Sequence, residues 1–341
     1  MYMPRKHIIM KKFFNKVWLY SMVLTVAAGM NACSSSDDEP ENGGEGLGEV
    51  PALPTPEYES SSAKYEITQS SSSISSIELT ASGEYIIESA YSYRGVPQKK
   101  SVKTNTSCLL LRQPVSRAYN GGIIAGKYVK ISDTEYILEG FGSIVIEGNT
   151  SDAFSLQITP SDGGTTTVAA KKASELPDSK INDALCRTWN IDDLGVKITL
   201  NKSIIYDKTK PASKMDELLQ ESQTALANYF MNHFGADADE FDPYEPLGYY
   251  ATQVIITKSG TYMVKYSNGG LAVSTWHWIN ESKGQFQFSW DYDNPDSSGN
   301  GNATNYVSFK GQQLSIREVH TMSEDGVALT TQTVYGCSMA K

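Results

Sequence analysis

Histidine, cysteine and clustered carboxylates are the side chains that most often carry chemistry, and here they are sparse. Beyond residue 32 the histidines are His233, His277 and His320. Zinc binding or general base work would need them to converge with carboxylates. His233 falls at the end of a helical stretch, where a cation meets the negative end of the helix dipole. His277 alternates out of the face that carries Trp276 and Trp278, and His320 ends a strand, so all three are expected at caps or surfaces. Two acidic loops suggest calcium at first sight. Asp291-Tyr292-Asp293-Asn294-Pro295-Asp296 begins with alternate carboxylates, but Asp296 stands where an EF-hand loop needs glycine, and its twelfth position is Asn302. Asp237, Asp239, Glu240, Asp242 and Glu245 supply charge without a fixed frame. The nearest phosphate-loop pattern runs from Gly121 to Tyr128, where tyrosine replaces the magnesium-binding Ser or Thr and the surroundings read as strand. No Gly-x-Ser-x-Gly, His-Glu-x-x-His or Cys-x-x-Cys motif occurs. These residues predict neither an enzyme, nor a metal site, nor a cofactor.

The strongest non-random feature is aromatic. Phe286, Phe288, Trp290 and Tyr292 stand at every second residue and so project from one sheet face. A tight turn through 280–284 places Trp278 opposite Phe286 and Trp276 opposite Phe288. Such a surface builds a core, lines an interior pocket for an apolar ligand, or stacks sugar rings where it meets solvent. The candidate ligand-binding residues are Trp276, Trp278, Phe288 and Trp290. An interior site beside them requires roughly 300 Å³ of cavity.

The elements that must position these residues are almost all strands. Runs rich in Ile, Val, Tyr and Thr are cut at regular intervals by Gly, Asn, Asp and Ser, the signal of antiparallel strands and turns. In the first half they fall near 64–69, 74–80, 84–91, 107–112, 122–131, 134–140, 143–147, 153–159 and 165–171. In the second half a short helical segment over 179–187 precedes strands near 189–200, 203–206, 251–257, 261–267, 271–279, 285–292, 304–309, 313–320 and 327–336. One true helix interrupts them over 213–234. Met215, Leu218, Leu219, Ser222, Ala225, Leu226, Tyr229, Phe230 and His233 share its inner face. Ser213 is the expected N-cap, and Gly235 suits the C-terminal cap. The fold class is all-β: two antiparallel meander or barrel-like domains over 63–173 and 174–341. A weak internal repeat relates the halves, since Ile77–Ile87 and Val254–Val264 share Thr, Ser, Gly and Tyr at four offsets and each describes a hairpin.

Residues 1–32 hold five Lys or Arg and no acid, so a net charge of −10 leaves −10 − 5 = −15 on the rest. Nucleic-acid binding draws on basic residues, so nucleic acid is not an expected partner. The apolar stretch from Val17 to Met30 is short for a membrane span, which needs about 20 residues. Met30-Asn31-Ala32-Cys33 resembles a bacterial lipobox. The resemblance implies cleavage before Cys33 and lipidation of its thiol and new amino group, with residues 1–32 as signal peptide. The run Ser34-Ser35-Ser36-Asp37-Asp38-Glu39 is similar to the tether of surface-exposed lipoproteins of the Bacteroidetes type, implying a lipid anchor in the outer membrane and display on the cell surface. Residues 33–62, rich in Gly and then Pro, are expected to be a flexible stalk. Of the remaining thiols, Cys108 reads as a buried small hydrophobe, and Cys186 and Cys337 flank the second domain, with their disulfide state open.

Thr188-Trp189, the strand–Ser-Gly-x-Tyr–strand hairpin, Thr275-Trp276-His277-Trp278 and Gly311-Gln312-Gln313-Leu314-Ser315-Ile316 together resemble the lipocalin-like domains of Bacteroidetes lipoproteins, over about 184–341 and more loosely 64–172. The resemblance implies a small meander barrel with an interior ligand site and no shared catalytic residues, and the helix over 213–234 departs from its compact pattern. The expected function is a non-enzymatic surface lipoprotein that binds a small apolar ligand. The alternative is a glycan-binding or protein-interaction module.

Overall fold

Period-two alternation with glycine turns builds antiparallel hairpins, and here the hairpins close on themselves twice. The computed structural model describes residues 46–89, 122–148, 153–235, 241, 244–289, 303–324 and 327–340. Barrel 1 comprises β1 (Ala63–Ile67), β2 (Ile74–Leu79), β3 (Glu84–Ser89), β4 (Ile123–Lys130), β5 (Glu135–Leu138), β6 (Gly142–Gly148), β7 (Phe154–Pro160) and β8 (Thr166–Lys172). Each strand pairs with the next and β8 closes on β1. Ile77, Leu79, Tyr85, Ile87, Tyr128, Ile144 and Leu156 fill it. The strand expected over 107–112, with Cys108, lies outside the described residues.

Barrel 2 comprises α1 (Lys180–Leu185), β9 (Thr188–Leu200), β10 (Ser203–Pro211), α2 (Met215–Phe234), β11 (Ala251–Ile256), β12 (Thr261–Tyr266), β13 (Leu271–Asn280), β14 (Gln285–Ser289), β15 (Ala303–Lys310), β16 (Gln313–Glu324) and β17 (Val327–Met339). The inserted helix does not open it. β9 pairs with β11 through residues 188–190 and with β17 along nearly its whole length, which closes eight strands, while β10 extends the remaining edge of β9. α1 sits at one end, where Leu185 O accepts from Trp189 Nε1 at 3.0 Å and Asn182 Oδ1 accepts from Trp278 Nε1 at 2.8 Å. α2 packs on β9 and β10 toward the far end of β9, and Met215, Leu218, Leu219, Leu226 and Phe230 join the core. Its N-cap is Lys214, without a side-chain bond, in place of the expected Ser213, because a 3-10 turn over Ala212–Lys214 precedes the helix. The carboxylate of Asp216 instead holds the returning loop, accepting from Tyr244 Oη at 2.6 Å, Leu247 N at 2.8 Å and Gly248 N at 3.0 Å. Gly235 ends the helix at φ 69°, as expected.

The second half of the expected stalk is packed. Leu47, Val50 and Leu53 lie against the core of barrel 2, and Leu47 O accepts from Phe309 N at 2.9 Å. Farther along, Pro54 O meets the Arg187 guanidinium, and Tyr58 packs edge-on to Tyr128 of barrel 1, ring centroids 4.9 Å apart. Residues 47–62 are therefore a strap across both barrels, because Leu47, Val50 and Leu53 meet the core of barrel 2 and Tyr58 that of barrel 1.

The repeated hairpins meet each other. Ile86 and Met263, at equivalent places in the two copies, share a buried apolar cluster with Ile255 and Val273. Around it the polar contacts cross over. Lys265 Nζ, which stands where Glu88 stands in the first copy, donates to Glu84 Oε1 at 2.5 Å. Thr261, equivalent to Glu84, accepts from Lys64 Nζ at 3.2 Å, and Lys64 also donates to Glu88 at 2.8 Å. Thus the outward faces of β2–β3 and β11–β12 form one interface related by the repeat.

Candidate functional site

The hairpin of β13 and β14 takes the register expected for the aromatic face, with Trp276 opposite Phe288 and Trp278 opposite Phe286. A 3-10 turn over Glu281–Lys283 makes the connection and ends at Gly284, φ 66°. A Cβ there would stand 2.3 Å from Val307 O, so only glycine fits. The face points into barrel 2. Trp276, Phe286 and Phe288 are buried, Trp278 is half-buried, and Trp290 and Tyr292 lie outside the described residues. Trp276 packs edge-on to Trp278 with centroids 5.3 Å apart and to Phe286 at 6.3 Å, while Phe286 stacks on Tyr262 at 6.3 Å. Both indole N–H groups bind the fold itself, Trp276 to Thr257 O at 3.1 Å and Trp278 to Asn182. These rings therefore behave as a hydrogen-bonded core.

Beside Phe286 the interior turns polar. Asn305 faces Phe286 across β14–β15, and Asn305, Glu318 and Thr333 lie in register across β15, β16 and β17, all three buried. Asn305 Oδ1 has no donor among the described residues.

The second concentration of buried polar groups is the inter-barrel interface. Glu78, Glu84 and Glu88 project outward from barrel 1, yet each is at most 4% exposed because barrel 2 covers them. Three buried carboxylates are costly unless matched. Glu84 is matched by Lys265 and by a short bond from the Thr188 hydroxyl, and Glu88 by Lys64, whereas Glu78 accepts a short bond from Ser259 on Oε1 and its Oε2 has no donor among the described residues. Desolvation works against the charged Lys64, but the fields of Glu88, Glu78 and Glu66 outweigh it and hold its pKa above the usual lysine value. Lys258 anchors the second hairpin's turn to Glu59 of the strap at 2.7 Å, Asp178 of the inter-barrel linker at 3.0 Å and Asp183 of α1 at 2.9 Å. A narrow cleft of about 20 Å³, enough for a single water, opens here between Glu78, Thr80, Cys186, Arg187, Lys258 and Ser259. Burial pushes the thiols of Cys186 and Cys337 well above the usual range, and both are free.

The histidines do not converge into a metal site; among the described residues no cluster of His, Cys, Asp and Glu fits one. His233 is exposed at the end of α2, where its Nδ1 is 2.9 Å from Tyr229 O and its ring stacks on Tyr229, as expected for a cap. His277 and His320 are half-buried. Asp237, Asp239, Glu240 and Asp242, like the loop over 291–296 and Cys33, lie outside the described residues. No described helix is long and apolar enough to cross a membrane. In sequence, Glu84-x-Ile86-x-Glu88 reads only as the outward face of a strand, and it is the cover supplied by barrel 2 that makes its carboxylates an interface.

No known protein family matches the chain, and no curated protein matches it. Among solved structures it is similar to a mutant of transferrin-binding protein B from Haemophilus parasuis Hp5, at 6% identity over 64% of this chain and 39% of that one, TM-score 0.18. A double mutant of the same protein gives 8% identity over 64% and 43%, TM-score 0.19. A protein of unknown function from the DUF3598 family of Nostoc punctiforme PCC 73102 gives 8% identity over 82% and 94%, TM-score 0.16. The chain spans less than half the length of the transferrin-binding proteins.

Proposed function

We propose that this is a non-enzymatic lipoprotein, anchored in the outer membrane through Cys33 and displayed at the cell surface, that binds a macromolecular partner with its outer surface. The observation that supports this reading is the packing of the aromatic face. Trp276 packs edge-on to Phe286 and Trp278, Phe288 lies buried in register with Trp276, and the indole N–H groups are engaged by Thr257 and Asn182, so the rings serve the barrel's own stability. Recognition then falls to the exterior of a body whose two barrels are held together by matched charges and a strap.

A second reading, a small and mainly apolar ligand inside barrel 2 against Trp276, Trp278, Phe288 and Trp290, draws on the buried Asn305 oxygen, which seeks a donor. One experiment separates the two. Tryptophan emission of residues 34–341 is measured with iodide and with a fluorescent fatty acid. On the first reading emission is blue-shifted and unquenched and the fatty acid is not taken up. Stoichiometric uptake that quenches emission and is lost in Asn305→Leu overturns it in favour of the second. Anchoring is tested by Cys33→Ala in the full chain, which moves the protein from the membrane to the soluble fraction.

A further inference from the structure

On the outward face of barrel 1, β4 and β5 carry exposed apolar side chains that none of the described residues covers. Val129 and Ile137 stand directly opposite each other in register. They are 42% and 45% exposed, and Ile131 at the end of β4 is 52% exposed. Half-buried Val145 on β6 continues the strip diagonally from Ile137. The equivalent outward positions on β3 tell a different story, since Ile86 is fully covered by barrel 2. β5 is two strands of the eight beyond β3, about a quarter-turn round the barrel, so the strip stays accessible with the barrels docked.

The charges around the strip are one-sided. Glu135, in register with Val145, together with Glu139 and Glu147, are exposed and make no ion pair among the described residues. The two lysines of β4 are already engaged by other carboxylates, exposed Lys127 lying 3.9 Å from Glu84 and Lys130 pairing with Asp133 at 2.9 Å. An apolar centre ringed by unmatched carboxylates selects a partner that brings both apolar side chains and positive charge. It disfavours anionic lipid headgroups. It also disfavours a second copy of this chain, because a two-fold contact would set the same carboxylates against each other.

We propose that the outward face of β4–β6 docks a basic, amphipathic segment of a partner protein, with Val129, Ile131 and Ile137 as the apolar centre and Glu135, Glu139 and Glu147 as the recognition charges. This rests on the exterior-binding reading above.

The test uses residues 34–341, which contain every described residue, and a fluorescent ten-residue peptide of alternating lysine and leucine. Saturable one-to-one binding is expected. Val129→Ser/Ile137→Ser should weaken it by about tenfold or more, as loss of an interface centre does. Glu135→Gln/Glu139→Gln/Glu147→Gln should weaken it comparably and flatten its salt dependence, because screening acts on these exposed charges. A glutamate–leucine peptide should not bind. All these positions are exposed, so melting temperatures should match wild type, and thermal scans confirm that the variants are folded. Absence of binding, equal binding by wild type and variants, or wild-type dimers that dissolve in the Val129/Ile137 variant would each overturn the proposal, the last by making a second copy the occupant. None of these outcomes moves the fatty-acid measurement, so failure of this docking face and failure of the exterior reading are told apart.

Discussion

Replacing Glu84 by alanine removes the centre of the inter-barrel contact. Its carboxylate is 1% exposed, with Oε1 2.5 Å from Lys265 Nζ and Oε2 bonded to the Thr188 hydroxyl. Both bonds involve the charged carboxylate, and a hydrogen bond to a charged group contributes about 1.5–3 kcal/mol. The orphaned ammonium keeps 24% exposure and recovers some hydration, so the full penalty for breaking a buried pair is reduced. The net expectation for Glu84→Ala is a loss of about 3 kcal/mol. Lys265→Met should lose a similar amount, since it strands a carboxylate with less access to water. The double variant Glu84→Leu/Lys265→Met, which removes both charges and leaves apolar bulk, should return to within about 1 kcal/mol of wild type. Urea unfolding is followed by tryptophan emission, which among the described residues reports on barrel 2 through Trp189, Trp276 and Trp278, and by far-ultraviolet circular dichroism, which reports on both barrels. The two curves should coincide in wild type and separate in Glu84→Ala, as barrel 1 loses its coupling to barrel 2. A loss below about 0.5 kcal/mol, or strictly additive single effects, would refute the view that this pair locks the barrels.

Further expectations concern the core, the turn clamp, the thiols and acid stability. Trp276→Ala should cost about 3–5 kcal/mol in the same urea assay, the range for emptying a buried indole site. Lys258→Met leaves Glu59, Asp178 and Asp183 facing one another, and should lower stability by about 2–3 kcal/mol and raise proteolysis within 47–62. Cys186 and Cys337 are buried, with thiols held protonated by desolvation, so Ellman's reagent at pH 8 should leave both unmodified until urea is added. Bonds from Lys210, Lys208 and Tyr206 pull Glu221 from 4.5 down to about 2. A depressed carboxylate stabilises the fold fully above its unfolded value and loses that contribution as pH falls from about 4.5 toward 2. Glu221→Gln should therefore lower the urea midpoint at pH 7 and show a flatter dependence across that acid window.

Much of this architecture was legible in residue types and spacing. Alternating β-branched and aromatic residues with Ser-Gly turns set the strands. The i, i+3, i+4 apolar pattern set α2, and the parity of Trp276, Trp278, Phe286 and Phe288 set both their register and their common face. Parity is a local property of the pleat, which is why sequence alone carries it. What parity does not carry is what stands beyond each face. Glu84-x-Ile86-x-Glu88 and Glu135-x-Ile137-x-Glu139 are nearly the same pattern, yet the first is buried against barrel 2 and the second faces water. Likewise Leu47, Val50, Leu53 and Tyr58 lie in a Gly- and Pro-rich stretch whose composition reads as a stalk, and only the two cores they meet make it a strap. Closure of barrel 2 past the inserted helix was also settled in three dimensions, because it depends on β9 reaching β17, 127 residues away at Asn201 and Ala328. The sequence by itself therefore determined which side chains share a face. The tertiary structure decided which faces meet another surface, since burial depends on contacts between segments far apart in the chain.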